Sequence, residues 1–235
     1  MPSAEPVRRS EAVFVAAALG VYVLVTAFTA WHHEPYNDEA DAWLVARDAS
    51  PAELFRLTGH GGSPVLWHLL LMPLAKLGLP YGAMRLVPLL LAWAAAALLL
   101  RCAPWPRSTR ALVVFSYFVL CEYGVVMRSY AITLLLLFAA AALWRRRFER
   151  PLLFAAVVAL LANANVLSLF AAATLGGFFL WDLLQRGRPP ARALVAAAVM
   201  LLAGVAAVVQ LVPQGPTQFP GFLTLRNPQA PWMVL

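Results

Sequence analysis

Eight apolar runs follow one another along the chain, at 12–30, 64–79, 84–100, 111–121, 130–144, 152–162, 166–184 and 194–212, and together they take up more than half of its 235 residues. Soluble domains carry about 25% charged residues. Here 12% are charged and 62% hydrophobic, and the mean hydropathy is +0.74. That much apolar surface needs lipid around it, so a soluble single domain is excluded and the expected fold is all-α, polytopic in a membrane. The net charge of +7 would point to nucleic acid in a soluble chain. The bases fall instead in short clusters between apolar runs, which is the pattern of membrane topology, and no nucleic-acid partner is expected.

The first run has 19 uncharged residues, enough at about 1.5 Å per residue to cross a hydrocarbon core of roughly 30 Å. A secretory signal is the competing reading. The run exceeds a signal's apolar region, however, and Ala30-Trp31-His32 makes a poor cleavage site, so a retained first helix is expected. Twelve of the 18 bases lie in four clusters: Arg8 and Arg9; Arg101, Arg107 and Arg110; Arg145, Arg146, Arg147 and Arg150; Arg186, Arg188 and Arg192. The positive-inside rule asks that all four share the cytoplasmic side. One outward crossing at 12–30 must then be answered by a single net inward crossing before Arg101. The run at 64–79, interrupted by Pro64, Pro73 and Lys76, is accordingly expected to be re-entrant or interfacial, while 84–100 crosses. If both crossed, every later cluster would move outside. The expectation is about seven spanning helices plus one partial one, with residues 1–212 forming the membrane module, 31–63 an outer loop, and 213–235 an outer-side tail that begins a further C-terminal part.

Six of the 11 acids, Glu34, Asp38, Glu39, Asp41, Asp48 and Glu53, lie in the 31–63 loop with His32, His33 and His60. Around Asp38 the loop reads as an amphipathic helix, with Trp43, Leu44 and Ala46 resting on the membrane surface and Asp38 and Asp41 sharing a face. Ser50 with Glu53 three residues on, and Pro51 between, has the spacing of a capping box. Paired carboxylates beside a membrane can serve as a general base and its neighbour; a solvated acidic loop that merely obeys topology has the same composition. Arg85 and Arg128 sit at outer ends of apolar runs, where a guanidinium can grip a phosphate. Alternatively Arg85 pairs with an acid of the loop and Arg128 with Glu122. Asn163 and Asn165 read as residues that satisfy backbone at a helix break, and His32 and His33 as interfacial. Aspartates can recruit a hard divalent cation, which leaves that cofactor open, whereas no Walker motif or GxGxxG supports a nucleotide cofactor. Cys102 and Cys121 fall at opposite ends of expected spans, so no disulfide between them is expected.

The ordered segments Tyr36-Asn37-Asp38-Glu39-Ala40-Asp41-Ala42-Trp43, Gly62-Ser63-Pro64-Val65-Leu66-Trp67 and Met84-Arg85-Leu86, followed by Arg128-Ser129-Tyr130 and Ala162-Asn163-Ala164-Asn165, resemble the membrane-embedded glycosyltransferases of the GT-C fold over essentially the whole chain. Many relatives place a histidine directly before the proline, where this chain has Ser63-Pro64 with His60 nearby. The resemblance implies a transfer from a polyprenyl-phosphate sugar to a glycan, lipid or protein hydroxyl on the outer face of a membrane. It implies Asp38 as general base with Glu39 in support, Arg85 and Arg128 on the carrier phosphate, and Asp41, His60 and Tyr130 on the substrates. One lysine against 17 arginines fits a GC-rich bacterial genome, hence a bacterial cytoplasmic membrane. The rival classes are a polytopic transporter and a non-catalytic membrane scaffold. A transporter would favour ionisable groups at the midplane and paired repeats, neither of which is evident.

Overall fold

The computed structural model describes residues 4–58 and 63–212. The expected outer tail at 213–235 and His60 lie outside the described residues. Eleven α-helices, joined by short 3-10 and π turns, make up the described part, and it has no strand. α1 (Ala4–His32) ends just before Pro35, which disfavours helix in the residue that precedes it, and α2 (Asn37–Asp48) starts two residues later. α3 (Pro51–Leu57) carries the capping box expected from its sequence: Ser50 Oγ accepts the Glu53 N–H at 3.3 Å and Glu53 accepts the Ser50 N–H at 2.7 Å.

α4 (Leu66–Lys76) has 11 residues, about 16 Å of helix, too short to cross a bilayer. Gly78 stops it. At φ +75° Gly78 adopts the left-handed conformation that closes a helix; its N–H reaches the Ala75 carbonyl at 3.1 Å and the Leu79 N–H the Leu74 carbonyl at 3.3 Å, the paired bonds of a Schellman end. A 3-10 turn over Tyr81–Arg85 then leads into α5 (Leu86–Cys102). After α6 (Arg107–Val114) the helix breaks, and a π turn at Phe118–Glu122 and the single turn α7 (Tyr123–Val125) carry the chain onward. α8 (Tyr130–Leu143), α9 (Pro151–Ala162), α10 (Val166–Leu184) and α11 (Ala191–Leu211) complete the bundle.

Four stretches, Arg9–His32, Tyr81–Cys102, Val166–Leu184 and Ala191–Leu211, are long and apolar enough to cross a membrane, which fits a membrane protein. The expected count of seven is not reached on length. α8 and α9 have 14 and 12 residues, about 21 and 18 Å of helix, and each buries one face against neighbouring helices. Phe154, Leu161 and Phe179 centre a cluster built by α8 to α11, and Tyr22, Ala92, Ala96 and Leu100 centre another where α1, α5 and α8 meet. Leu91 packs against both, and also against a third cluster formed by α2 and α4.

Polar contacts fix which helix ends lie together. At one end Glu11 meets Arg107 at 2.8 Å and Arg110 at 2.5 Å, Arg110 also donates to the Leu100 carbonyl, Arg147 pairs with Asp182, and Arg186 lies over the Phe148 ring. At the other end Arg85 donates to the His33 carbonyl, Asn165 Nδ2 donates to Thr133 at 2.8 Å, and Gln210 joins Asn163 at 3.0 Å while accepting the Val65 N–H at 3.0 Å. Asn165 also caps α10, accepting the Ser168 N–H at 2.8 Å, so both asparagines serve the helix break as expected. The arginine clusters thus gather at one end of the bundle, and Asp38 stands at the opposite one.

Midway along α1, Tyr22 Oη donates to the Val119 carbonyl at 2.8 Å, and Trp93 Nε1 donates to Thr26 Oγ1 at 2.9 Å. Gly124 sits against this knot: a Cβ there would lie 3.0 Å from Tyr22 Oη, 3.1 Å from the Val119 carbonyl oxygen and 3.2 Å from Thr26 Cγ2. Gly124→Ala should therefore cost about 2 kcal/mol through overpacking, seen as earlier thermal unfolding in detergent. Gly176→Ala, whose Cβ would meet nothing within 4 Å, should unfold no earlier than the wild type; equal behaviour of the two variants would show that the close approach does not matter.

Candidate functional site

Residues 33–36 link α1 to α2 at the end of the bundle away from the arginine clusters. Glu39, in the first turn of α2, has no exposed surface. Its Oε2 accepts the Tyr36 N–H at 2.7 Å, its Oε1 accepts the Met127 N–H at 2.6 Å, and His33 Nε2 lies 3.1 Å from both oxygens. One side chain thereby ties the end of α1, the start of α2 and the segment that leads into α8.

That tie positions the charged groups on either side of it. Asp38, one residue before Glu39, points outward with its side chain 67% exposed, and its Oδ2 lies 3.1 Å from Nη1 of Arg128, which follows the anchored Met127. The Arg128 guanidinium also lies 5.6 Å from the centre of the Tyr130 ring. Arg85, at the end of the 3-10 turn, gives Nη2 to the His33 carbonyl at 3.5 Å, while its Nε is buried with no hydrogen-bond partner. Tyr81, four residues earlier, packs edge-on against Trp43 at 6.1 Å, and its buried hydroxyl is likewise without a partner. Asp38, Glu39, Arg85, Arg128 and Tyr130 are therefore brought together. Asp41 is exposed on the same helix as Asp38 and makes no ion pair or hydrogen bond among the described residues.

Several sequence expectations need correction. Trp43 and Ala46 do not rest on a membrane surface: both are buried, packed with Trp67, Leu71 and Ala75 of α4, and of the three residues assigned to that face Leu44 alone is exposed. An apolar face on a short helix fits a protein neighbour as well as it fits lipid, and α4 lies against it. His33 is bonded to Glu39. Arg128 pairs with Asp38 rather than with Glu122, and Arg85 forms no ion pair among the described residues. The bond from the Tyr36 N–H to Glu39 is that of a capping-box glutamate, but a tyrosine at the N-cap is not the Ser, Thr, Asp or Asn that marks such a box in a sequence. The partnerships with His33 and Met127 had no sequence signal either, since they depend on how α1 and the 126–129 segment pack. Along α2, Arg47 bonds Asp48 at 2.7 and 2.8 Å and holds its carboxyl below the ordinary range, which engages Asp48 locally.

Chemically, this end of the bundle offers an exposed carboxylate, two guanidiniums and a phenol. Arginine forks suit phosphate oxygens, and an exposed carboxylate can take a proton from a hydroxyl. Among the described residues no group of three or more histidines, cysteines, aspartates or glutamates is placed to hold a metal ion. No family model, no curated protein and no solved structure matches the chain.

Removing the Glu39 carboxyl would orphan two backbone donors at once, each costing on the order of 1–3 kcal/mol when buried. Glu39→Ala should thus lose about 3 kcal/mol, with faster proteolysis near residues 126–129 in detergent. Wild-type unfolding and cleavage rates in that variant would show that the 126–129 segment is held by other contacts.

Proposed function

We propose that the chain is the membrane-embedded module of an inverting glycosyltransferase, which moves a sugar from a polyprenyl phosphate to an acceptor hydroxyl at the Asp38 end of the bundle. The observation that supports this reading is the pairing of exposed Asp38 with Arg128 at the end of the bundle where Arg85 also meets the His33 carbonyl. With the arginine clusters at the opposite end, the positive-inside rule turns the site outward. In this topology α8, α9 and the broken α6–α7 stretch also traverse the bundle, since their two ends meet opposite sets of partners, and α4 lies as a partial helix on the outer side. The arginine-rich, lysine-poor composition favours a bacterial cytoplasmic membrane.

In the reaction, the acceptor hydroxyl gives its proton to Asp38 as its oxygen bonds to the anomeric carbon, and the bond from that carbon to the phosphate oxygen breaks. The lipid phosphate leaves with the electron pair, its charge met by Arg85 and Arg128. Arg128 begins paired with Asp38, so a phosphate that takes over the guanidinium also frees the carboxylate to act as base. An exposed pair of this kind is worth no more than about 1 kcal/mol, which makes the exchange easy. Glu39 has no exposed surface and serves as a positioning residue, holding Asp38 and Arg128 in register. The midplane polar groups Tyr22, Thr26 and Trp93 satisfy one another or nearby carbonyls, which weighs against a transporter.

Asp38→Asn should lower transfer by at least ~100-fold while donor affinity stays equal or tightens, because the competitor for Arg128 is gone. Arg85→Ala should weaken donor binding ~10-fold or more. Both are read with polyprenyl-phosphate sugars and the protein in lipid nanodiscs. Full transfer by Asp38→Asn would remove it as the base, and unchanged donor affinity in Arg85→Ala would remove Arg85 from the phosphate site.

A further inference from the structure

A groove of about 830 Å3 runs along the exposed side of α1, remote from Asp38. Leu19 and Val23 line it toward the middle of the bundle, and Glu11 and Arg101 close it at the arginine-rich end. It exists because Ala16 and Gly20 present almost no bulk to that side of the helix; a Cβ on Gly20 would meet nothing within 4 Å. From residue 11 to residue 23 the helix rises about 18 Å, a little over half of a ~30 Å hydrocarbon core. The groove is thus about one leaflet deep, measured from its charged end.

The charged end is not neutral. Glu11 is already held by Arg107 at 2.8 Å and Arg110 at 2.5 Å, so the three guanidiniums of Arg101, Arg107 and Arg110 face a single carboxylate. Arg101 is exposed and has neither ion pair nor hydrogen bond among the described residues. Lipid tails are as apolar as the groove itself, so burial alone cannot choose among lipids. Charge can: a basic side chain at the membrane surface draws anionic headgroups, and arginine binds phosphate oxygens through its fork.

We propose that this groove is a binding site for an anionic phospholipid, one acyl chain lying over Ala16 and Gly20 and the headgroup phosphate on Arg101. The site is independent of the glycosyltransferase reading. Native mass spectrometry of the full chain, released from nanodiscs of equimolar phosphatidylglycerol and phosphatidylcholine, tests it. The wild type should retain one phosphatidylglycerol with about a fivefold preference. Arg101→Gln should bring the preference to about one. Gly20→Leu should fill the groove and lose the retained lipid with no loss of thermal stability; Ala16→Leu is the second filling variant should the first misfold. Equal retention of both lipids by the wild type, or an unchanged preference in Arg101→Gln, would overturn the proposal. So would filling variants that convert a dimer to a monomer while lipid retention persists, since the groove would then seat a second copy of the chain.

Discussion

A carboxyl group with no exposed surface is tolerated only where its oxygens find donors, and at Glu39 the donors come from three parts of the chain. The Tyr36 N–H belongs to the entry of α2, the Met127 N–H to the segment ahead of α8, and His33 to the exit of α1. Without that convergence α2 would have an apolar face packed on α4 and nothing to fix its other end. With it, Asp38 and Arg128 are set 3.1 Å apart by the backbone positions of their neighbours. The Asp38 end of the bundle is organised around one buried side chain, and Asp38 and Arg128 are the charged groups it places at the rim.

The opposite end is built on a different principle. There the charges pair with one another, Glu11 with half-exposed Arg107 and buried Arg110, Arg147 with Asp182, and most of the remaining arginines are left exposed. One carboxylate, Glu11, against several arginines leaves a surplus of positive charge at this end. Between the two ends, Tyr22, Thr26 and Trp93 lock α1 to α5 and to the 118–125 stretch by hydrogen bonds inside the bundle. Gly124 allows the close approach that those bonds need.

Much of this was legible from residue order alone. The run at 166–184 became α10 with the same limits, Ser50 and Glu53 capped α3, and the arginine clusters came together in pairs, the first with the second through Glu11 and the third with the fourth through Asp182 and Phe148. What was not legible was which apolar runs are long enough as helices. A run of ten to fifteen apolar residues reads alike whether it faces lipid or a protein core, and α8 and α9 are of that kind. The same ambiguity sent Trp43 and Ala46 to a membrane surface when α4 was their partner. Within the site, Asp38, Arg85 and Arg128 stood out as charges beside apolar runs. The role of Glu39 did not, because it depends on partners 6 and 88 residues away in sequence.

The central claim is that a lipid-linked phosphate is received at the rim that Glu39 organises. Photocrosslinking tests this most directly: a polyprenyl-phosphate sugar carrying a diazirine on its first isoprene unit is irradiated with the full chain in nanodiscs, and the labelled peptides are mapped. The account predicts saturable labelling within residues 36–41, 81–88 and 126–130, competed by unlabelled donor. Labelling confined to the arginine-rich end, or labelling that unlabelled donor does not reduce, would contradict it.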